Sequence, residues 1–243
     1  HSYADGYDVI LCNTDRNPDK ERKYLQNLYS KVVDGIIFIG TCMNADVVRL
    51  YPNTPVVCIN SVTPGDFSFL AVNHEQGSYE AARYLLETYH TPVVLLSGPL
   101  MRKSYGERFD GYRRALEEFG FLFREQLVFE IPDTYNGGFS VVDEVLNRHP
   151  DVRAVFATSD VIALGAIRGL HGRGRRVPQD IAVVGYDDIA VSAMFIPSLT
   201  TVQQPKYIMG TTAAQMLIEK IGVPKQVVSV ITLEPKLVIR ESA

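Results

Sequence analysis

Short runs of β-branched and aliphatic residues recur along this chain, and they carry no polar alternation. Val93-Val94-Leu95-Leu96 and Ile36-Ile37-Phe38-Ile39 are strand-sized and apolar throughout. A strand with one wetted face alternates polar and apolar residues. A strand without alternation is covered on both faces, as in a parallel sheet between layers of helices. Such runs fall at 8–12, 35–39, 56–60, 69–72, 93–97, 127–130, 154–158, 181–186 and 227–233. Helical stretches begin near Pro18, Asn44, His74, Ser104, Asn136, Asp160 and Lys206. In the first of them Tyr24, Leu25, Leu28 and Val32 share a face, and Asp19, Glu21 and Arg22 face water. Strand–helix alternation predicts an α/β fold. Two architectures satisfy it: a (β/α)₈ barrel of about 250 residues, or two doubly wound, Rossmann-like sheets joined by short crossovers. Residues 1–6 read as the end of a helix capped by Gly6, so the chain reads as a fragment that opens inside such a unit.

Composition narrows the function. Lys plus Arg number 24 and Asp plus Glu 28, a net charge of −4, which argues against nucleic acid as the direct partner of this segment. No apolar run approaches the roughly 20 residues of a membrane helix. Cys12, Cys42 and Cys58 are odd in number and sit in apolar settings, so they read as buried thiols of a reducing compartment. With no basic-then-apolar leader at the N-terminus, the expected location is the cytoplasm.

Catalytic signatures are lacking. There is no Walker loop, no Gly-x-Ser-x-Gly and no His-Glu-x-x-His. Gly169, Gly172 and Gly174 end a helix among arginines, the reverse of a dinucleotide loop, which follows a strand and opens a helix. His1, His74, His90, His149 and His171 are dispersed and read as structural or surface residues. No metal, cofactor or catalytic set is expected.

Polar residues gather instead just after strands, where α/β proteins bind ligands. Run 93–97 leads to Arg102, Lys103, Ser104 and Arg108, with Ser104 and Arg108 on one helix face. Run 154–158 leads to Ser159 and Asp160, and run 181–186 to Asp187 and Asp188. Each group has a plain structural reading as a helix cap, a turn or a solvated side chain. What favours a shared site is that three separate strands deliver them.

These residues resemble the lactose/galactose repressor family of bacterial transcription regulators. The resemblance is carried by Val177-Pro178-Gln179-Asp180-Ile181-Ala182-Val183-Val184-Gly185-Tyr186-Asp187-Asp188 and by Ile196-Pro197-Ser198-Leu199-Thr200-Thr201-Val202-Gln203-Gln204-Pro205. Ala154-Val155-Phe156-Ala157-Thr158-Ser159-Asp160, Gly98-Pro99-Leu100 with Arg108-x-x-Gly111-Tyr112, and Val33-Asp34-Gly35-Ile36-Ile37 extend it over nearly the whole chain.

The resemblance implies the effector-binding core of such a regulator. That core looks like a type I periplasmic-binding protein, with two Rossmann-like lobes and the ligand in a cleft between them. It displaces the barrel. The implied lobes are 1–89 with 205–232, lacking its first strand, and 90–204 with 233–243. The implied effector is a sugar, a nucleoside or purine, or a related small metabolite. DNA contact would come only through a missing N-terminal helix-turn-helix domain, and the implied assembly is a homodimer. Arg108 resembles the family's ligand-holding arginine, and Asp187 its hydrogen-bond-accepting carboxylate. Arg102 and Ser104 align with ligand contacts of the purine-responsive members. Ser159 stands where Asn is found, Asp160 follows as usual, Gln204 matches a polar cleft residue, and Gln76 stands in place of an Asp. The family's aromatic stacking position is Asp133 here, leaving Tyr135 as the nearby aromatic. Two alternatives stay open: a periplasmic solute-binding protein of the same fold, and an α/β enzyme using Asp187 and Asp188 with a metal.

Overall fold

The apolar runs become the strands of two separate open sheets in a computed structural model, which describes residues 6–15, 17–40, 45–60, 67–223 and 228–243. Helix α1 (Pro18–Ser30) starts at Asn17, whose side chain accepts hydrogen bonds from the amides of Asp19 and Lys20. Strand β1 (Ile36–Ile39), helix α2 (Ala45–Arg49) and strands β2 (Val56–Ile59) and β3 (Ser68–Val72) follow. The chain then builds a second unit from α3 (His74–Tyr89), β4 (Val94–Ser97), α4 (Lys103–Glu118), β5 (Val128–Glu130), α5 (Tyr135–Ser140), α6 (Val142–Arg148), β6 (Ala154–Ala157), α7 (Asp160–His171), β7 (Ala182–Asp187) and β8 (Thr200–Gln203). It returns to the first unit for α8 (Lys206–Ile218) and β9 (Val230–Leu233), and ends in the second with β10 (Lys236–Val238).

The first unit runs up to Val72 and resumes over Pro205–Leu233; the second is Asn73–Gln204 with Glu234–Ala243. The sequence grouped α3 with the first lobe. Its packing places it in the second, because α3 lies along α4 and against β6, β7 and β8. The first sheet is all parallel in the order β1-β2-β3-β9, and the second is β10-β8-β7-β6-β4-β5, with only β10 antiparallel.

Alternate residues of the same strands explain the unbroken apolar runs. Val94, Leu96, Val155 and Ala157 join the core made with α6 and α7. Val93, Leu95, Ala154 and Phe156 join the opposite core made with α3 and α4. Each fully buried Leu or Phe contributes about 1.5–3 kcal/mol, so both faces of the second sheet favour the fold.

Run 8–12 departs from expectation. It forms no strand, and Val9, Ile10 and Leu11 are exposed, so neither ladder bonds nor burial hold an extended conformation there. Cys12 is only half-buried, whereas Cys58 is fully buried and its thiol is pushed up to about 11 by that burial. The expected helix end over 1–5, His1, Cys42 and Asn44 lie outside the described residues. Strands β8 and β10 were not read from the pattern: β8 is Thr-Thr-Val-Gln and β10 is three residues long, too polar or too short to signal by apolar content. Among the described residues no helix is long and apolar enough to cross a membrane.

Two helix pairs of the second unit meet backbone to backbone. A Cβ on Gly111 of α4 would overlap the Glu75 carbonyl oxygen of α3, and one on Gly165 of α7 would overlap the Tyr135 carbonyl oxygen of α5. Alanine in a helix gains about 1 kcal/mol of propensity over glycine, but overpacking costs about 1–3 kcal/mol and more where backbone must move. Gly111→Ala and Gly165→Ala should therefore lower the urea midpoint; a rise would show that the helices separate freely.

Candidate functional site

Strands β4 to β8 of the second unit run parallel, so their carboxyl ends share one edge of the sheet. Along that edge lie the start of α4 after β4, Asp133 after β5, Ser159 after β6, Asp187 at the end of β7 and Gln204 after β8.

Arg108 sits two turns into α4 and is 5% exposed. Its Nη1 donates to the Thr158 carbonyl at the end of β6, and its Nη2 donates to Asp187 Oδ1 at 3.3 Å. Its guanidinium carbon lies 3.7 Å from the centre of the Tyr186 ring, a cation–π contact. Gln204 Nε2 donates to the same Asp187 Oδ1 at 2.6 Å. Arginine, carboxylate and amide from three elements thus converge. The ion pair is asymmetric: the Arg108 side chain is 6% exposed and that of Asp187 24%.

The backbone at Asp187 has φ 115 and at Asp188 φ 50, a region L-residues rarely adopt. Surrounding bonds hold it there. The Asp188 amide donates to Thr201 Oγ1 at 3.4 Å, and its carboxylate accepts from Gln203 Nε2 at 2.6 Å and Arg240 Nη2 at 2.7 Å. Asp188 therefore clasps the chain around its neighbour, while Asp187 faces the edge.

Asp160 holds a structural place in the fold. It is fully buried, and its carboxylate accepts from the Ile189 amide at 2.8 Å, the Ser192 hydroxyl at 2.7 Å and the Thr201 hydroxyl. It ties α7 to the loop after β7 and to β8. A Cβ on Gly185 would overlap its Oδ1, so glycine makes room for this clasp. Ser159 caps α7 through the Ile162 amide and donates to Asp133 Oδ1 at 2.8 Å; it supports the edge through Asp133. Gln76 is engaged on the α3–α4 face, accepting from Arg114 at 2.7 Å and donating to Glu80 at 2.8 Å. Tyr135 opens α5 with its ring 39% exposed and, among the described residues, stacked on nothing.

Arg102 stands at the N-cap of α4 without a side-chain cap bond, and its Nη1 is buried without a hydrogen-bond partner. Ser104 lies in the first turn of the same helix. Donors left unpaired at a strand end are open to a ligand acceptor.

Four contributors were missed from sequence. Tyr186 and Thr158 were read as strand, Tyr105 as helix, and His74 as a structural histidine. Tyr105 is hydrogen-bonded to Asp133 and lies 5.5 Å from the Arg108 guanidinium, and burial raises its hydroxyl pKa. His74 is 2% exposed, with Nδ1 3.1 Å from Tyr186 Oη. The usable signal was position for two of them: Thr158 and Tyr186 each immediately precede a polar residue at a strand end.

Among the described residues no group of three or more His, Cys, Asp or Glu side chains is placed to hold a metal.

Burial, then the charges of Arg108 and Lys103, push the His74 imidazole from 6.5 down to about 3. The folded state keeps it neutral, and only the unfolded chain takes up the proton. This stability is fully present above pH 6.5 and is lost as pH falls toward 3, by about 1.4 kcal/mol per pH unit of that window. Asp160 opposes it: burial raises its carboxyl from 3.8 to about 6, against the hydrogen bonds it accepts. That contribution is present below 3.8 and lost as pH rises through 6. Between pH 6.5 and 4 the urea midpoint of the wild type should therefore fall more steeply than that of His74→Phe. Parallel slopes would remove His74 from the acid limb.

Comparison with known proteins identifies the family. Residues 2–240 match the family described as periplasmic binding proteins and sugar binding domain of LacI family. The HTH-type transcriptional repressor PurR of Yersinia enterocolitica is 36% identical over 245 residues, covering 99% of this chain and 72% of that protein. PurR of Proteus mirabilis is equally similar, with the same coverage. Among solved structures, the transcriptional regulator CelR–cellobiose complex aligns with a TM-score of 0.90 at 32% identity, over 99% of this chain and 75% of that one. A LacI family regulator from Enterococcus faecium with bound ribose aligns at 0.88 and 26% identity, over 99% and 88%. With a two-unit α/β fold, parallel sheets and a family match over nearly its full length, the chain belongs to the LacI family and is the effector-binding domain of a transcriptional regulator.

Proposed function

We propose that the edge built by Arg108, Asp187 and Gln204 holds a small hydroxyl-bearing effector, a sugar or a related polar metabolite, by reversible non-covalent binding. The convergence on Asp187 Oδ1 carries the reading: Arg108 at 3.3 Å and Gln204 at 2.6 Å both point at one partly exposed carboxylate. A ligand hydroxyl can accept from the guanidinium and donate to the carboxylate at once, replacing the Gln204 amide. Charge-assisted bonds of this kind are about twice as strong as neutral ones. Arg102, Ser104 and the Asp133–Ser159 pair complete the polar lining. The solved relatives with cellobiose and ribose support a sugar. A purine base is the second reading, favoured by the 36% identity to PurR and by the unpaired Arg102 Nη1.

Effector that binds one conformational state of the chain more tightly than another shifts their populations. That shift would reach DNA through a helix-turn-helix segment of the kind for which the PurR relatives are named. The regulator acts as a homodimer, with the two DNA-binding segments at matched half-sites, in the cytoplasm. Its ligand leaves unchanged, so the chain is a binding protein and not an enzyme.

A thermal-shift panel of sugars, nucleobases and organic acids tests the class. A ligand at about 100 times its Kd stabilises by about 2.7 kcal/mol. For whichever compound binds, Asp187→Ala and Arg108→Lys should each weaken affinity by about 2 kcal/mol or more, since each leaves a buried charge mispaired. Calorimetry showing unchanged affinity in both, with the fold intact, would take the pair out of the site. Turnover of the bound compound would refute the non-enzymatic reading.

A further inference from the structure

His74 is buried where its helix has no need of an imidazole. The Asn73 side chain already caps α3, accepting from the Gln76 amide at 3.1 Å. The histidine is 2% exposed, with Nδ1 3.1 Å from Tyr186 Oη and Nε2 buried without a hydrogen-bond partner. An unpaired polar atom in the interior is destabilising. An apolar side chain of similar size would avoid that cost, so simple core filling does not account for the residue.

Its partner explains the placement. Tyr186 is fully buried on β7, immediately before Asp187. One face of its ring carries the Arg108 guanidinium at 3.7 Å. Space for its hydroxyl comes from Gly77 of α3, where a Cβ would stand 2.8 Å from Oη and 2.6 Å from Pro235 Cγ. The hydroxyl end of the ring is therefore fixed by α3 and its face is occupied by the arginine. Arg108 has its Nη atoms on Thr158 and Asp187, and its Nε is buried with no hydrogen-bond partner. The ring plane consequently sets the height and tilt of the guanidinium, because a cation–π contact is strongest over the ring face.

We infer that His74 is a positioning residue for effector binding: by holding the Tyr186 hydroxyl it fixes the ring on which Arg108 rests, and so the direction in which Arg108 presents its donors. This rests on Arg108 and Asp187 being the effector-holding pair.

The first test needs no ligand. In the whole chain, the Arg108 Nε–H resonance is assigned by its loss in Arg108→Lys, and the Tyr186 ring current displaces it from the position of solvated arginines. His74→Phe keeps a ring but lacks the nitrogen. In that variant the resonance should move toward the solvated position and exchange faster with water, while far-UV circular dichroism stays unchanged. Tyr186→Phe should move it likewise, and the double variant no further. An unmoved resonance in folded His74→Phe overturns the inference; if that variant does not fold, an unmoved resonance in Tyr186→Phe does so.

Titration with cellobiose and D-ribose separates this role from the functional reading. Where either sugar binds the wild type, His74→Phe should weaken it about tenfold, and should add nothing in the Arg108→Lys background. Equal losses in both backgrounds overturn the positioning role and leave the effector site standing. If neither sugar binds, the sugar reading falls, and the resonance still decides whether His74 sets Arg108.

Discussion

The Arg108–Asp187 ion pair is the constraint to which the rest of the second unit answers. A guanidinium as buried as Arg108 cannot remain charged in an apolar interior without compensation, and arginine does not deprotonate. The fold supplies three compensating groups: the Thr158 carbonyl, the Tyr186 ring and the Asp187 carboxylate. The first two lie in buried residues and the third is at the mouth, one-quarter exposed. The arginine is therefore fixed by the scaffold, and the carboxylate is the more exposed member of the pair. Gln204 is the partner most readily exchanged, since an amide gives up a bond to a carboxylate more easily than a guanidinium does.

Much of the fold was legible because burial on both faces leaves a mark in the sequence. Val93–Leu96 and Ala154–Ala157 read as two-sided strands, and their alternate residues do enter two different cores. The failures share a cause. Strand β8 is polar at Thr200 and Thr201, whose hydroxyls are used by the Arg240 amide and by Asp160, so it lacks apolar content although its first three residues are buried. Run 8–12 has the apolar content of a strand and none of the pairing. Periodicity reports which residues would be buried if a neighbour were present; it does not report the neighbour.

The site was legible to a different degree. Asp160 and Asp187 are the same side chain in nearly the same context, each just past an apolar strand. One is sealed by three donors and one is partly exposed, and the donors (Ile189, Ser192 and Thr201) lie at sequence separations that no local pattern reveals. Gln76 was placed by likeness to a position that is Asp elsewhere. The extra methylene and the amide let it join Arg114 and Glu80 on the helix surface instead. The resemblance pointed to the edge, and only the hydrogen-bond partners separate its sealed residues from its partly exposed ones.

Rigid surroundings follow from the backbone at Asp187. A non-glycine residue at φ 115 stores conformational free energy of about 1–3 kcal/mol, and it persists only where the surroundings over-determine it. On one side Asp188 is clasped by Arg240, from the last segment of the chain, and by Gln203 from β8. On the other, Tyr186 is held by α3 through His74 and the space at Gly77. Directly behind, Gly185 is pressed against the Asp160 clasp and Leu199. Three residues around Asp187 (185, 186 and 188) are thus each fixed by a different element, and the carboxylate they aim is the one that remains partly wet. A carboxylate ordered this way on folding would lose little side-chain entropy on taking a new partner.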